Sequence, residues 1–398
     1  MNNPKTAPKT AVVIYNLGGP DKPASIQPFL YNLFNDPAIF GLPGFIRTPL
    51  AKLISTTRAP KVQPLYDLMG GASPIQKNTL AQADALEKLL NSPFSLEGEG
   101  GERSEPDKGA GKQSGNFRIN TNSPSPAPTG HPLPPGRGKT IYKVFTAQRY
   151  WNPMADEVVQ QVKQWGAERV VLLPLYPQFS TTTTSSFVTV WEDAAKKHNL
   201  TASTHTVCCF PFAGGYVTAM AENIKPVLAE AKKYGTPRVL FSAHGLPQSI
   251  VSKRGDPYPI HVQRSAAEIA AALGETNLDW LVSFQSRVGP LAWVKPYTID
   301  EIHRAARESV PLVVVPLAFV SEHLETLVEL DIEYRHVADE EKIPFYGRVP
   351  TVSTHPLFMA ELRDLVLQAA EAGTKYVPPG GRRICPAHCH ACPCGVKR

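Results

Sequence analysis

The chain has 398 residues, 42% hydrophobic and 19% charged, with a formal net charge of +6. That is enough for one large or two medium folded units with a substantial core. No block of five basic residues occurs, so the mild positive excess suits an anionic ligand or a membrane surface and argues against nucleic-acid binding. The apolar run 11–17 is too short for a signal-peptide core, and no other stretch reaches 18 apolar residues.

In chain order, residues 11–15 form an apolar run ending in Asn16-Leu17-Gly18-Gly19-Pro20, read as a first strand and a Gly-rich turn. The turn lacks GxGxxG, and no acidic residue stands where a ribose would be held, which disfavours a dinucleotide site. Helices follow over 26–34 and 46–54, separated by a Pro/Gly-broken stretch that holds Phe40 and Leu42. Tyr66 and Gly70-Gly71-Ala72-Ser73-Pro74 read as a turn before an amphipathic helix that runs to about residue 90. Between 92 and 138 the composition changes, with nine Gly and eight Pro in 47 residues. That density without a period predicts a disordered insertion in a surface loop, where added length costs little.

From residue 141 strands and helices alternate: strand 141–146, helix 156–165, strand 170–175, a helix to 197, strand 203–207 and helix 215–233. Strand 238–242, helix 258–273, strand 281–285, helix 299–308 and strand 312–319 continue the rhythm. Such alternation predicts an α/β fold of parallel sheets flanked by helices. The stretch from Asp156-Glu157 to Val171-Leu172-Leu173-Pro174-Leu175 is echoed from Asp300-Glu301 to Val313-Val314-Val315-Pro316-Leu317. The echo favours two Rossmann-like lobes with an active-site cleft between them. The expected division is a polar tail over 1–10, a first lobe over 11–190 and a second over 191–355. A C-terminal helix over 356–375 packs back on the first lobe, and a Cys-rich tail covers 376–398.

Two stretches carry the chemistry, Ser242-Ala243-His244-Gly245-Leu246-Pro247 and Ser321-Glu322-His323-Leu324-Glu325-Thr326-Leu327-Val328-Glu329. Each follows an apolar run and so falls at the carboxyl end of a strand, where open α/β sheets bind ligands. The first delivers one imidazole on a tight turn. The second opens a helix on which Glu325 and Glu329, four apart, share a face, with His323 beside them. An imidazole facing two carboxylates suits proton removal or a hard divalent cation. Arg149 with the hydroxyls of Tyr66 and Ser73 suits a carboxylate. Phe40, Leu42, Tyr150 and Trp293 offer flat apolar walls. The hydroxyl run 180–186 has no adjacent base, so a serine nucleophile is rejected. Without a secretory signal, Cys385, Cys389, Cys392 and Cys394 near the end of the chain call for a metal rather than disulfides.

These motifs resemble the ferrochelatase family of the bacterial protoporphyrin type. The resemblance runs through Asn16-Leu17-Gly18-Gly19-Pro20, Tyr176-Pro177-Gln178-Phe179-Ser180, the His244 stretch and Arg254-Gly255-Asp256-Pro257-Tyr258-Pro259. It continues through Phe284-Gln285-Ser286-Arg287-Val288-Gly289-Pro290 and residues 319–334, covering nearly all of 11–370 apart from the insertion. It implies the chelatase fold and a lyase that inserts Fe²⁺, as substrate, into protoporphyrin IX at the last step of haem synthesis, releasing two protons. In that resemblance His244 matches the residue credited with proton abstraction or metal contact, and Glu325 the essential acid beside it. Glu329 and His323 match the acidic path for metal or protons. Phe40, Tyr150 and Trp293 match walls that would hold the macrocycle bent, while Arg149, Tyr66 and Ser73 line the pocket or contact propionates.

The chain departs from the family pattern at Phe40, where a methionine is frequent, and at Thr181, where animal enzymes place a cluster cysteine. The tail thiols Cys385, Cys389, Cys392 and Cys394 suit a [2Fe–2S] cluster or a tetrahedral Zn²⁺, with Cys208 or Cys209 as further donors, the alternative being free thiols. The competing readings are a chelatase for another metal or tetrapyrrole, such as coproporphyrin or sirohydrochlorin, and a porphyrin or haem carrier. A cytoplasmic monomer or homodimer is expected, with peripheral contact at the inner membrane through Phe40, Leu42 and Phe45.

Overall fold

The computed structural model describes residues 7–92 and 140–395. The expected disordered insertion, apart from residue 92, lies outside the described residues, as do the first six residues of the polar tail. The first elements are β1 (Lys9–Asn16), α1 (Ile26–Phe34), α2 (Gly44–Asp67), α3 (Ile75–Asn91), β2 (Ile141–Gln148), α4 (Ala155–Trp165), β3 (Arg169–Pro174), α5 (Thr184–Lys197), β4 (Ser203–Val207) and α6 (Gly214–Ala231). Next come β5 (Arg238–His244), α7 (Gln248–Arg254), α8 (Tyr258–Ala272), β6 (Asp279–Gln285), α9 (Thr298–Glu308) and β7 (Leu312–Pro316). A π-helix (Glu325–Glu333), α10 (Tyr334–Glu340), β8 (Tyr346–Arg348), α11 (Pro356–Glu371) and β9 (Tyr376–Val377) complete the chain.

The strands form two sheets, ordered β2-β1-β3-β4-β9 and β6-β5-β7-β8, and every pairing between these strands is parallel. This is the α/β architecture that the strand–helix alternation predicts. Ala11 to Tyr15 in β1 and Leu312 to Val315 in β7 are fully buried. Parallel strands covered by helices on both faces read as continuous apolar runs for this reason. The register sets the site. Asn16 pairs with Gln148 in the first sheet and His244 with Gln285 in the second, so the polar residues after each run gather at the carboxyl edges. Helix α11 packs against α3, α6, β3 and β4. The chain then adds β9 beside β4, which carries the Cys-rich tail back to the first sheet.

The structure corrects several element boundaries. The helix expected over 46–54 is α2, Gly44–Asp67, and it runs through Pro49, Pro60 and Pro64. Each interior proline removes a backbone hydrogen bond, but packing against α1 holds the helix together. Tyr66 is therefore on the last turn of α2, not in a loop. Between Pro247 and the left-handed Gly255 lies α7, a seven-residue helix that the sequence reading missed. Strand β7 stops at Pro316 rather than 319: Leu317 donates a last bond to the Ser242 carbonyl and the chain then turns away. The helix after it is a π-helix, with i→i+5 bonding, rather than an α-helix. Such turns recur at functional sites.

Candidate active site

Strand β5 extends to His244 itself, so the imidazole leaves a rigid strand end. Gly245 follows because a Cβ there would lie 2.9 Å from the Gln285 carbonyl and 3.1 Å from the Trp293 ring. Only glycine lets that ring close over the turn. In the first lobe Gly19 does the same, since its Cβ would lie 2.6 Å from the Cβ of Ser73. The expected pair meets: His244 Nδ1 lies 2.8 Å from Glu325 Oε2. His323 Nε2 lies 3.9 Å from Glu325 Oε1. Both His323 ring nitrogens are buried without a hydrogen-bond partner, and the ring centroid sits 4.4 Å from that of Phe319. Glu329 completes the group. Ser286 donates to it through both its backbone N–H and its hydroxyl, and Tyr334 donates its phenol at 2.9 Å.

The four titratable groups are driven apart. For Glu325, burial opposes ionisation, but the charge and hydrogen bond of His244 outweigh it and draw its pKa down to about 2. Glu329 moves the other way, raised by burial and by the negative charge of Glu325. Burial pulls the His244 pKa down, yet Glu325 and Glu329 together leave it raised. Burial keeps His323 below its ordinary value. The His244 side chain is nevertheless 40% exposed, so the ring is open to a substrate. A cavity of about 100 Å³ lies against Leu65, Leu324, Glu325, Val328, Glu329 and Glu333. A larger hollow of about 500 Å³ lies between α1 and α2 and touches none of these groups.

The remaining predicted residues divide. The Tyr66 phenol is buried and faces the charge of Glu325, and both burial and that charge raise its pKa. Ser73 donates its backbone N–H to the Pro20 carbonyl. Trp293 donates to the Val288 carbonyl at 3.2 Å and Phe40 packs 5.8 Å from Phe34, while Leu42 is exposed. Arg149 is engaged inside the protein, with Nη2 2.9 Å from Asp36 Oδ2 and Nε donating to Ser186 at 2.7 Å. Tyr150 is buried and donates to the same Asp36 oxygen at 2.7 Å, so it is a core residue beneath the site rather than an open wall. Asp36 was missed, because a lone carboxylate in a Pro/Gly-broken loop carries no sequence signal. Ser286 and Tyr334 were missed for a similar reason, since ordinary hydroxyl residues become visible only by what they touch.

At the far side, Cys385, Cys389 and Cys392 are buried and Cys394 half-buried, close to Cys208 and Cys209, which follow β4. Cys208 Sγ lies 3.4 Å from Cys209 Sγ, and Cys385, Cys389 and Cys392 pack together with Cys394 at their edge. His261 Nδ1 accepts from the Phe179 N–H, and Nε2 lies 3.2 Å from Cys385 Sγ. Thr181 gives its N–H and hydroxyl to Asp256 instead, each at 2.7 Å. Among the described residues, no three His, Cys, Asp or Glu side chains surround a point that one ion could take.

A ferrochelatase family model matches residues 9–98 and 135–370. The chain belongs to the ferrochelatase family. Ferrochelatase from Phenylobacterium zucineum (strain HLK1) is 44% identical over 386 residues, covering 97% of this chain and 98% of that protein. Ferrochelatase from Pelagibacter ubique (strain HTCC1062) is 39% identical over 97% of this chain and 98% of its own length. SirB from Bacillus subtilis with Fe³⁺ is a distant likeness from which nothing about the site follows, with a TM-score of 0.42 and 14% identity over 58% of this chain and 82% of that chain. Membership makes the chain an enzyme of haem synthesis, a lyase that takes Fe²⁺ and a porphyrin as substrates. Among the described residues no helix is long and apolar enough to cross a membrane.

Proposed function

We propose that the porphyrin is protoporphyrin IX and that His244 and Glu325 work as one unit in its metallation. The observation that carries the reading is the 2.8 Å contact between His244 Nδ1 and Glu325 Oε2. With Glu325 ionised, Nδ1 is the protonated nitrogen that donates, which leaves the Nε2 lone pair free to accept. Two pyrrole protons must leave before four nitrogens can hold iron, so the site needs a base and an exit. His244 accepts a proton at Nε2, Glu325 stabilises the imidazolium, and Glu329, the carboxylate with the raised pKa, takes the proton onward. The same oxygens form a hard acidic lining for Fe²⁺ on its way in, with His323 beside it. Tyr66, Ser73, Phe40, Leu42 and Trp293 shape the porphyrin pocket. Arg149 and Tyr150 support it through Asp36. The lobes lie on either side of the cleft; because β4 (Ser203–Val207) belongs to the first sheet, the first lobe extends beyond the expected bound of 190 and the second sheet begins at β5.

Cys385, Cys389, Cys392 and Cys394, with Cys208 and Cys209 packed nearby, are the candidate ligands of a [2Fe–2S] cluster, although as they stand no three of them surround a single metal point. Bound there, a [2Fe–2S] cluster supplies a one-electron centre and a cross-link between the tail and β4. The face carrying Leu42, Phe45, Ile46 and Leu53 is exposed and apolar, which suits peripheral contact with a lipid surface.

Substrate choice is tested by anaerobic turnover with protoporphyrin IX and coproporphyrin III in competition. A higher kcat/KM for protoporphyrin IX supports the reading. Preference for coproporphyrin III, or binding of both without turnover, contradicts it.

A further inference from the structure

Ser286 follows β6 with a φ of +64°, in the left-handed region where a residue other than glycine is held at a cost. From there its N–H donates to Glu329 Oε1 at 2.9 Å, and its hydroxyl reaches Glu329 Oε2 while lying 3.5 Å from Glu325 Oε2. One small side chain thus touches both carboxylates. Glycine would take this φ without strain and would keep the backbone bond. What serine adds at the position is the hydroxyl alone.

We infer that Ser286 is a positioning residue for iron insertion, its hydroxyl fixing Glu329 beside the Glu325 carboxylate that His244 holds. The inference rests on the proposed working roles of those two carboxylates. None of the three neighbours can do this in its place. The Tyr334 phenol reaches Glu329, while His244 and His323 reach Glu325. The hydroxyl has one proton and gives it to Glu329; without it Glu329 keeps only the Ser286 N–H and the Tyr334 phenol, both on Oε1, and its Oε2 is free to turn away from Glu325. The path between them then opens. A hydroxyl that donates to a carboxylate makes a charge-assisted bond, stronger than a neutral one, so its loss falls on the site rather than on the core.

The test uses the full-length enzyme with Ser286→Gly, Ser286→Ala and, as a control, Glu325→Gln. Expected for Ser286→Gly is a melting temperature at or above wild type, an unchanged KM for porphyrin, a tenfold or greater fall in kcat and a raised KM for Fe²⁺. Ser286→Ala shares the kinetic loss while keeping the backbone strain. Full kcat in Ser286→Gly beside an inactive Glu325→Gln overturns the role of Ser286 alone. An active Glu325→Gln overturns the reading on which it rests. A kcat loss in Ser286→Gly that tracks a lower melting temperature also overturns it, since that marks a purely structural part.

Discussion

His244 Nδ1 and Glu325 Oε2 are 2.8 Å apart, although 81 residues separate them in the chain. The pair fixes a pH signature. His244 has a raised pKa and must be neutral to accept a proton, so the acid limb of kcat/KM lies above the ordinary imidazole value of about 6.5. In Glu325→Gln the attracting charge is gone and burial acts with less opposition, so the His244 titration moves to lower pH. Carbon-13 NMR of the imidazole in both proteins reads this directly, and an unmoved titration contradicts it.

The same shifts give the pair a window of stability. The Glu325 contribution is present above its unfolded value and is lost as pH falls toward about 2. The His244 contribution is full below about 6.5 and is lost as pH rises through its raised folded value. The difference in unfolding free energy between wild type and His244→Ala is therefore expected to be largest in mildly acidic solution and to shrink on both sides. A difference independent of pH counts against the pair.

Asp36 is 3% exposed and one of its oxygens takes contacts from Arg149, Tyr150 and Ser186. Asp36→Ala leaves the Arg149 guanidinium with its counter-charge removed. A loss of about 3–5 kcal/mol is expected for breaking a buried pair from one side, with Asp36→Asn milder. Urea denaturation measures both. A loss below about 1 kcal/mol for Asp36→Ala would show that Arg149 is already solvated.

For the thiol group, Cys389→Ser is expected to abolish visible cluster absorbance and to lower bound iron and sulfide, whereas Thr181→Ala leaves them intact. Iron, sulfide and zinc assays on anaerobically purified protein decide the matter. Retention of the cluster in Cys389→Ser, with loss in Cys208→Ser, would move the fourth ligand to Cys208.

Phe45 is 80% exposed and Leu53 62%. Replacing both with Ser removes side chains whose burial in lipid is worth about 1.5–3 kcal/mol each. Vesicle sedimentation is expected to show at least a tenfold weaker partition, with kcat in detergent unchanged. Equal partition of variant and wild type sinks the membrane face.

The sheets were legible because parallel strands covered on both faces announce themselves as apolar runs, as in Ala11 to Tyr15 and Val313 to Val315. His244 and Glu325 were legible because each follows such a run, where strand ends meet. The π-helix was not, since its i→i+5 bonding comes from packing and leaves no trace in residue spacing. The inward turn of Arg149 was hidden because it depends on Asp36, more than a hundred residues away. Cys208 shows as a cysteine in sequence, but its approach to the tail cysteines depends on β9 returning the tail to β4.

The most direct test is anaerobic turnover of Fe²⁺ and protoporphyrin IX by wild type, His244→Ala and Glu325→Gln, with porphyrin affinity measured on the same samples. Wild type is expected to form protohaem, while both variants bind porphyrin with near-unchanged Kd and lose at least a hundredfold in kcat. Comparable turnover in all three would contradict the role of the His244–Glu325 pair.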